Sequence, residues 1–234
     1  MSSILNRQGT FLAREEWVTR PFEGQPIAPI QLLLNKACEL PALLEAYYKI
    51  GRLFDTSSLD KVARLWSDFR ALLASFREWH LTLHSQASRP LVWFRPDPEI
   101  WLLSSTKALW FPNMMIANSL THYWAFEIIV KMHLSLLNQI ISTAKGCNPG
   151  KETHMFTEAS EEISLLTLAD MICDSIPYLL QPEMKLHGLG SAFFILPLAL
   201  RVYKNEQNLS SNRLACCRRV SDLLTSRGVN FTRD

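Results

Sequence analysis

The sequence LDKVARLWSDFRALLASFREWHLTL, residues 59–83, decides the fold class of this chain. Its apolar residues recur at steps of three and four, which is the spacing of one face of a helix. They are Leu59, Val62, Leu65, Trp66, Phe69, Leu72, Leu73, Phe76, Trp79 and Leu83. Ser57 or Ser58 stands just before the first of them and can act as an N-cap. The stretch therefore predicts an amphipathic helix of about 25 residues with one buried face.

Two shorter helices are predicted before this stretch and a long one after it. Residues 30–40 and 41–51 carry helical spacing. Pro41 suits the first turn of the second, where a missing N–H costs nothing. Pro112 indicates the start of a helix that extends to about Ala144, and its apolar residues lie on nearly all sides, which is typical of the centre of a bundle.

Three further helices are predicted in the last third of the chain. They cover residues 158–176, 191–204 and 208–226. Pro177 is expected to end the first of them, because proline removes a hydrogen bond inside a helix. A turn region is expected from Pro182 to Gly190.

Two segments interrupt the helical pattern. Residues 1–29 predict an irregular N-terminal segment packed on the core, with Trp17 and Phe22 as its anchors. Residues 86–110 predict an irregular, proline-rich insert, because closely spaced prolines cannot be helical. One short extended piece is expected in the insert at residues 91–94.

Composition narrows the class of protein. Hydrophobic residues make up 48 % and charged residues 20 %, with a net charge of +2. Such a chain is too apolar and too weakly charged to be disordered, and it offers no electrostatic basis for direct DNA binding. The sequence therefore predicts an all-α fold, a single helical domain of about seven helices over residues 30–234.

The cellular setting is expected to be intracellular. The start MSSILNRQG has no apolar run of the kind found in a secretory signal. The five cysteines are scattered, so no disulfide framework is predicted, and Cys216–Cys217 has no metal spacing. No uninterrupted apolar run reaches the roughly 20 residues of a membrane span, so no membrane partner is expected.

Several short motifs follow one another along most of the chain. They are FLAREEW (11–17) before Pro21 and Phe22, LPALL (40–44), Trp79 before PLVW (90–93), YW (123–124), LADMICDSIPYLL (168–180), Gly190 and FILPLA (194–199). In their number and order they resemble the fungal-specific transcription factor domain, the helical regulatory region of the zinc-cluster transcription factors. The resemblance covers nearly the whole chain, roughly residues 10–205.

The resemblance implies a helical regulatory domain. Members of the family also carry six cysteines that bind two zinc ions in a basic DNA-reading module, and thiolates at that spacing close a tetrahedral metal site. The five cysteines here do not have that spacing. What is implied is therefore a regulatory region without the DNA-binding module.

Polar residues in the long helix after Pro112 are the candidate catalytic groups. If the chain is an enzyme, His122, Tyr123 and Glu127 are predicted as catalytic residues, with His122 or Glu127 as general base. A second interpretation places Glu127 in an ion pair with Lys131, four residues further on, along an exposed strip. Both interpretations stay open at the level of sequence.

Four tryptophans are the candidate ligand-binding residues, because aromatic side chains on an irregular segment can line a ligand site. They are Trp93, Trp101, Trp110 and Trp124. No metal site is predicted, since His80 and His84 share a helix face without a third ligand. The sequence contains no GxSxG, P-loop, Rossmann or zinc motif, so no cofactor is predicted.

Two functions are compatible with these residues. The first is a regulatory domain linked to secondary metabolism that binds a hydrophobic small molecule or a protein partner and works in the nucleus. The alternative is a cytoplasmic, cofactor-free enzyme, a cyclase, isomerase or dehydratase acting on a hydrophobic intermediate, because shape and one or two acid–base groups suffice for such reactions. Self-association as a homo-oligomer stays open in both cases.

Overall fold

Seven helices of nine residues or more form the described part of the chain in this computed structural model. The structure describes residues 4, 6, 9–52, 59–96, 107–144, 163–205 and 211–226. The helices are α1 (Pro29–Ala37), α2 (Leu40–Arg52), α3 (Leu59–Ser85), α4 (Met114–Ala144), α5 (Leu165–Leu179), α6 (Lys185–Asn205) and α7 (Ser211–Ser226). The predicted all-α fold with about seven helices is confirmed.

The chain divides into two compact units. The first contains α1, α2, most of α3 and the second half of α4. The second contains the first half of α4 together with α5, α6 and α7. The divisions fall after Thr82 in α3 and after Ile128 in α4.

The core of the first unit is organised by α3, as its spacing predicts. Val62, Phe69 and Phe76 are completely buried along one face of this helix. Near its end, the indole N–H of Trp79 donates a hydrogen bond of 3.0 Å to the carbonyl of Pro29, the first residue of α1. This hydrogen bond joins the start of α1 to the end of α3.

The N-terminal segment consists of short helical turns, Phe11–Ala13, Glu15–Val18 and Arg20–Phe22, joined by bends. Trp17 was expected to anchor it, and that expectation is wrong: its side chain is 49 % exposed and packs edge-to-face on Phe11, which is exposed as well. Polar bonds fasten the segment instead. The amide of Gly9 donates to Glu45 on α2 at 2.8 Å, and the Asn35 side chain on α1 donates to the Val18 carbonyl at 3.2 Å.

The proline-rich insert contains more regular structure than its sequence indicates. Strand β1 (Trp93–Pro96) pairs antiparallel with β2 (Lys107–Trp110), so that Trp93 lies opposite Trp110. The extended piece expected at residues 91–94 overlaps β1, but β2 was not predicted. Its KALW sequence lacks alternation because β2 packs on α5 and buries Ala108 and Leu109 next to each other.

Helices α5 and α6 are longer at their facing ends than the prolines indicate. Pro177 was expected to end α5, and instead lies inside it, two residues before the end. The turn region expected from Pro182 to Gly190 was also too long. Only a 3-10 turn at Pro182–Met184 separates the helices, and α6 begins at Lys185.

A close approach between α5 and α6 explains why glycine is required in this stretch. A Cβ built on Gly188 falls inside the van der Waals contact distance of the Leu179 carbonyl oxygen and carbon. A Cβ built on Gly190 meets nothing within 4 Å. The two glycines therefore have different roles, although both lie in the first two turns of α6.

Helix α6 is also the most membrane-like part of the described chain. Pro182–Asn205 is long and apolar enough to cross a bilayer by length and composition. In the folded chain, however, 56 % of its most apolar window is buried, as in the core helix of a globular protein.

Replacing Gly188 by alanine is expected to destabilise the protein strongly, by about 3 kcal/mol or more, because the methyl group would have to displace the backbone of α5. Replacing Gly190 by alanine is the matched control. It should stabilise the protein by up to about 1 kcal/mol, since alanine is the better helix former and the site is open. Urea unfolding measures both, and equal effects of the two substitutions would contradict the close approach.

Candidate functional site

The candidate site lies in the second unit, where α4 faces α6. The Nδ1 atom of His122 lies 2.8 Å from the backbone carbonyl oxygen of Asn118, one turn earlier on α4. A carbonyl oxygen only accepts hydrogen bonds, so Nδ1 must carry the proton in this contact. The lone pair of the neutral imidazole is therefore on Nε2.

Two phenylalanines form the walls around this imidazole. Phe194 on α6 stacks on it, with ring centroids 5.6 Å apart and planes 14° from parallel. Phe126, one turn further along α4, meets it edge-on at 6.2 Å. Both phenylalanines are buried, and they contact each other at 5.7 Å. His122 itself is half-buried and retains some contact with solvent.

A polar contact between the two helices completes the arrangement. The hydroxyl of Ser191 on α6 donates to the side-chain oxygen of Asn118, and its Oγ also lies 2.9 Å from the carbonyl of His187. Asn118 thus binds His122 through its backbone and Ser191 through its side chain. These residues, Asn118, His122, Phe126, Ser191 and Phe194, are named the His122 cluster below.

Burial keeps the imidazole neutral. Removal from water lowers the pKa of His122 to about 4, and the hydrogen bond from Nδ1 to the Asn118 carbonyl offsets only part of that effect. Near pH 7 the group is therefore an uncharged hydrogen-bond acceptor at Nε2. It can receive a donor group or a proton, but it cannot act as a cation.

The other two predicted catalytic residues are deeper in the protein. Tyr123 is buried, and Glu127 is only 2 % exposed. The interpretation that Glu127 lies on an exposed strip with Lys131 is therefore wrong. In the described part of the chain, His122 makes its hydrogen bond with Asn118 and its ring contacts with Phe126 and Phe194, so the structure does not pair His122 with Tyr123 or Glu127.

Three of the four predicted ligand-binding tryptophans fall along one row of aromatic side chains. Trp110 packs on Tyr178 at 5.8 Å, Tyr178 on Phe111 at 5.1 Å, and Phe111 on Trp124 at 6.3 Å. Trp93 lies opposite Trp110 in the sheet. The row joins the two strands to α5 and α4.

The exposure of these tryptophans shows which of them a ligand could reach and which belong to the core. Trp93 is 41 % exposed, whereas Trp124 belongs to the core. Trp110 is half-buried, with the guanidinium of Arg95 5.0 Å above its ring. Trp101 lies outside the described residues. Of the three predicted ligand-binding tryptophans that the structure describes, Trp93 and Trp110 are placed where a ligand or partner could touch them.

Two polar features outside the His122 cluster differ in their exposure. Asp170 on α5 is half-buried and accepts a hydrogen bond of 2.7 Å from the hydroxyl of Tyr203, which ties α5 to α6. Glu183, in the 3-10 turn, and His187, in the first turn of α6, are exposed. Among the described residues there is no group of three or more His, Cys, Asp or Glu side chains that could hold a metal ion.

Sequence reasoning missed Asn118, Ser191 and Phe194. Ser191 is 73 residues from Asn118, so no local pattern links them. The one available signal was the four-residue step from Asn118 to His122, which places them on one face of α4.

Comparisons with known proteins add nothing, since no family model, curated protein or solved structure matches the chain.

Acid is expected to destabilise the protein through His122. The pKa of His122 is about 4 in the fold and near 6.5 in the unfolded chain, so the unfolded state binds more protons between these values. The stability that the neutral imidazole contributes is complete above about pH 6.5 and is lost as the pH falls to about 4. The full shift corresponds to about 3 kcal/mol.

Urea unfolding of the wild type and of His122→Phe tests this, at about pH 7.5 and about pH 4.5. The wild type should lose about 2–3 kcal/mol more stability than the variant between the two conditions, because only the wild type has this titrating group. The lost hydrogen bond to Asn118 affects the variant equally at both pH values and cancels. An equal loss in both proteins would show that His122 is not held neutral.

Proposed function

We propose that the chain is a helical binding domain for a hydrophobic small molecule that carries a hydrogen-bond donor. In this proposal, Nε2 of His122 accepts the hydrogen bond from the ligand. One observation supports the proposal most directly. The proton on Nδ1 is engaged by the Asn118 carbonyl, which leaves the acceptor at Nε2 beside two aromatic rings.

The chemistry of the His122 cluster suits an aromatic or polycyclic ligand with a hydroxyl group. Apolar surface supplies most of the affinity in a small-molecule site, and a few fixed polar groups supply orientation. Phe126 and Phe194 are buried around the imidazole, so a ligand that reaches Nε2 would lie in apolar surroundings. The neutral imidazole offers an acceptor whose direction is held by Asn118, and therefore favours hydroxyl-bearing ligands over those that cannot donate.

A regulatory role is the wider setting of this proposal. The resemblance to the regulatory region of the fungal zinc-cluster factors supports a nuclear protein that senses a metabolite of a secondary pathway or binds another regulator, without contacting DNA itself. The exposed Trp93 and Phe94 on β1 offer aromatic surface for a protein partner. Fold-level likeness does not specify a ligand, so the site chemistry must define it.

The second candidate function is a cofactor-free isomerase, cyclase or dehydratase in the cytoplasm. The observation that bears on it is the same imidazole, because its Nε2 lone pair can accept a proton from an activated carbon acid or a hydroxyl. Its pKa of about 4 makes it a weak base near pH 7, so only an acidic substrate suits this function. A binding domain leaves the ligand unchanged, whereas an enzyme releases a different molecule. Mass spectrometry of the ligand after incubation therefore separates the two functions.

Binding of 2-naphthol tests the proposed acceptor. Its hydroxyl can donate to Nε2, whereas 2-methoxynaphthalene has a similar ring system without a donor. The wild type should bind 2-naphthol about three- to tenfold more tightly, the effect of one neutral hydrogen bond. Fluorescence titration of each probe measures the affinities.

The matched variant is His122→Phe, which keeps an aromatic ring in the stack and removes the acceptor. It should bind both probes about equally, with an affinity close to that of the wild type for 2-methoxynaphthalene. A preference for 2-naphthol that survives in this variant would place the ligand elsewhere. Failure of the wild type to bind either probe would count against the binding proposal.

A further inference from the structure

Two buried cysteines from distant parts of the chain meet inside the second unit. The sulfur of Cys173 on α5 lies 3.1 Å from the sulfur of Cys217 on α7, although 44 residues separate them along the chain. Both residues are free thiols, 7 % and 1 % exposed. The sequence alone does not indicate this contact, because the cysteines are scattered along the chain and a contact between helices leaves no local pattern.

We propose that Cys173 and Cys217 form a redox-active dithiol, a modification site that small disulfides such as oxidised glutathione convert into an intramolecular disulfide. The two sulfurs must approach by only about 1 Å more to reach bonding distance. The two sulfurs are already in contact, so the bond can form without a rearrangement of α5 and α7.

The reaction balances without any further reactant. The thiolate of one cysteine attacks a sulfur of the small disulfide, which forms a mixed disulfide and releases one small thiol. The second cysteine then attacks the protein sulfur of the mixed disulfide and releases the second small thiol. The two protein thiols lose two protons and two electrons, and the small disulfide takes them up to become two thiols. Cys173 is the expected site of the first attack because it is the more exposed.

The surroundings of the two thiols slow their oxidation, because they disfavour the thiolate form that attacks a disulfide. The hydrogen bond with Cys217 and burial raise the pKa of the Cys173 thiol well above its ordinary value. Tyr203 on α6 interacts with the same thiol and donates its hydroxyl to Asp170. The sulfurs therefore lie where α5, α6 and α7 meet, and oxidation proceeds through local opening that admits the small disulfide.

The consequence of oxidation is a covalent link between α5 and α7, the last described helix. Closing a loop of this length restricts the unfolded chain. The oxidised protein should therefore melt at a higher temperature than the reduced protein, by on the order of 5–10 °C.

The experiment incubates the purified full chain, first reduced, with buffers of increasing ratio of oxidised to reduced glutathione. Intact mass should decrease by two hydrogen atoms per chain, and digestion without reductant should yield one peptide pair joined through Cys173 and Cys217. A thermal melt without reductant should show the upward shift. Cys38→Ala is the matched control, since Cys38 follows α1 in the first unit, and it should behave as the wild type.

The variant Cys217→Ala should lose both the mass change and the melting shift. If that variant does not fold, fragmentation of the joined peptides from the wild type decides, because cleavage of the peptide bond between Cys216 and Cys217 shows which of the two carries the link. A link through Cys38, Cys147 or Cys216, addition of glutathione without an internal link, or no reaction at any ratio would each overturn the proposal.

Discussion

The close approach of α6 to α5 at Gly188 is the constraint on which the second unit depends. With no side chain at that position, the first turns of α6 can lie against the carbonyl of Leu179. The following turns of α6 then carry Ser191 to Asn118, Phe194 to the ring of His122, and Tyr203 to Asp170. A bulkier residue at position 188 would change the position of α6 and with it each of these contacts.

The polar residues of α4 show why the His122 cluster is different from its surroundings. In this apolar helix, Thr121 and Ser119 donate to the carbonyl one turn earlier, at 2.8 Å in both cases. His133 lies 2.7 Å from the Ile129 carbonyl and is fully enclosed, with its ring stacked on Phe69. Such local bonds let a helix bury polar groups at low cost. Of these four polar residues, His122 is the one that combines the local bond with remaining exposure, and its partner Asn118 reaches another helix.

The proposed ligand site and the proposed dithiol lie between different pairs of helices in the second unit. The His122 cluster joins α4 to α6, and the dithiol joins α5 to α7. They have no residue in common, so a disulfide leaves the hydrogen bonds of His122 in place, and ligand binding leaves the thiols in place. Each proposal can therefore fail without affecting the other.

Hydrophobic spacing alone was sufficient to predict the all-α fold, the long helix at 59–83 and the approximate bounds of the helix after Pro112. Local periodicity records which face of each helix is buried, and this information lies within a few turns of chain. The same spacing did not reveal that Pro177 is helical or that β2 pairs with β1, because packing on α5 and α6 overrides local preference at both places.

The sequence by itself determined the helices, their buried faces and the presence of a histidine in an apolar stretch. Tertiary structure alone decided that His122 meets Phe194, that Asn118 meets Ser191, and that Cys173 meets Cys217. These pairs lie on different helices and are separated by tens of residues. Their contacts depend on how helices approach one another, and that approach depends on single residues such as Gly188, whose role appears only when the opposing backbone is in place.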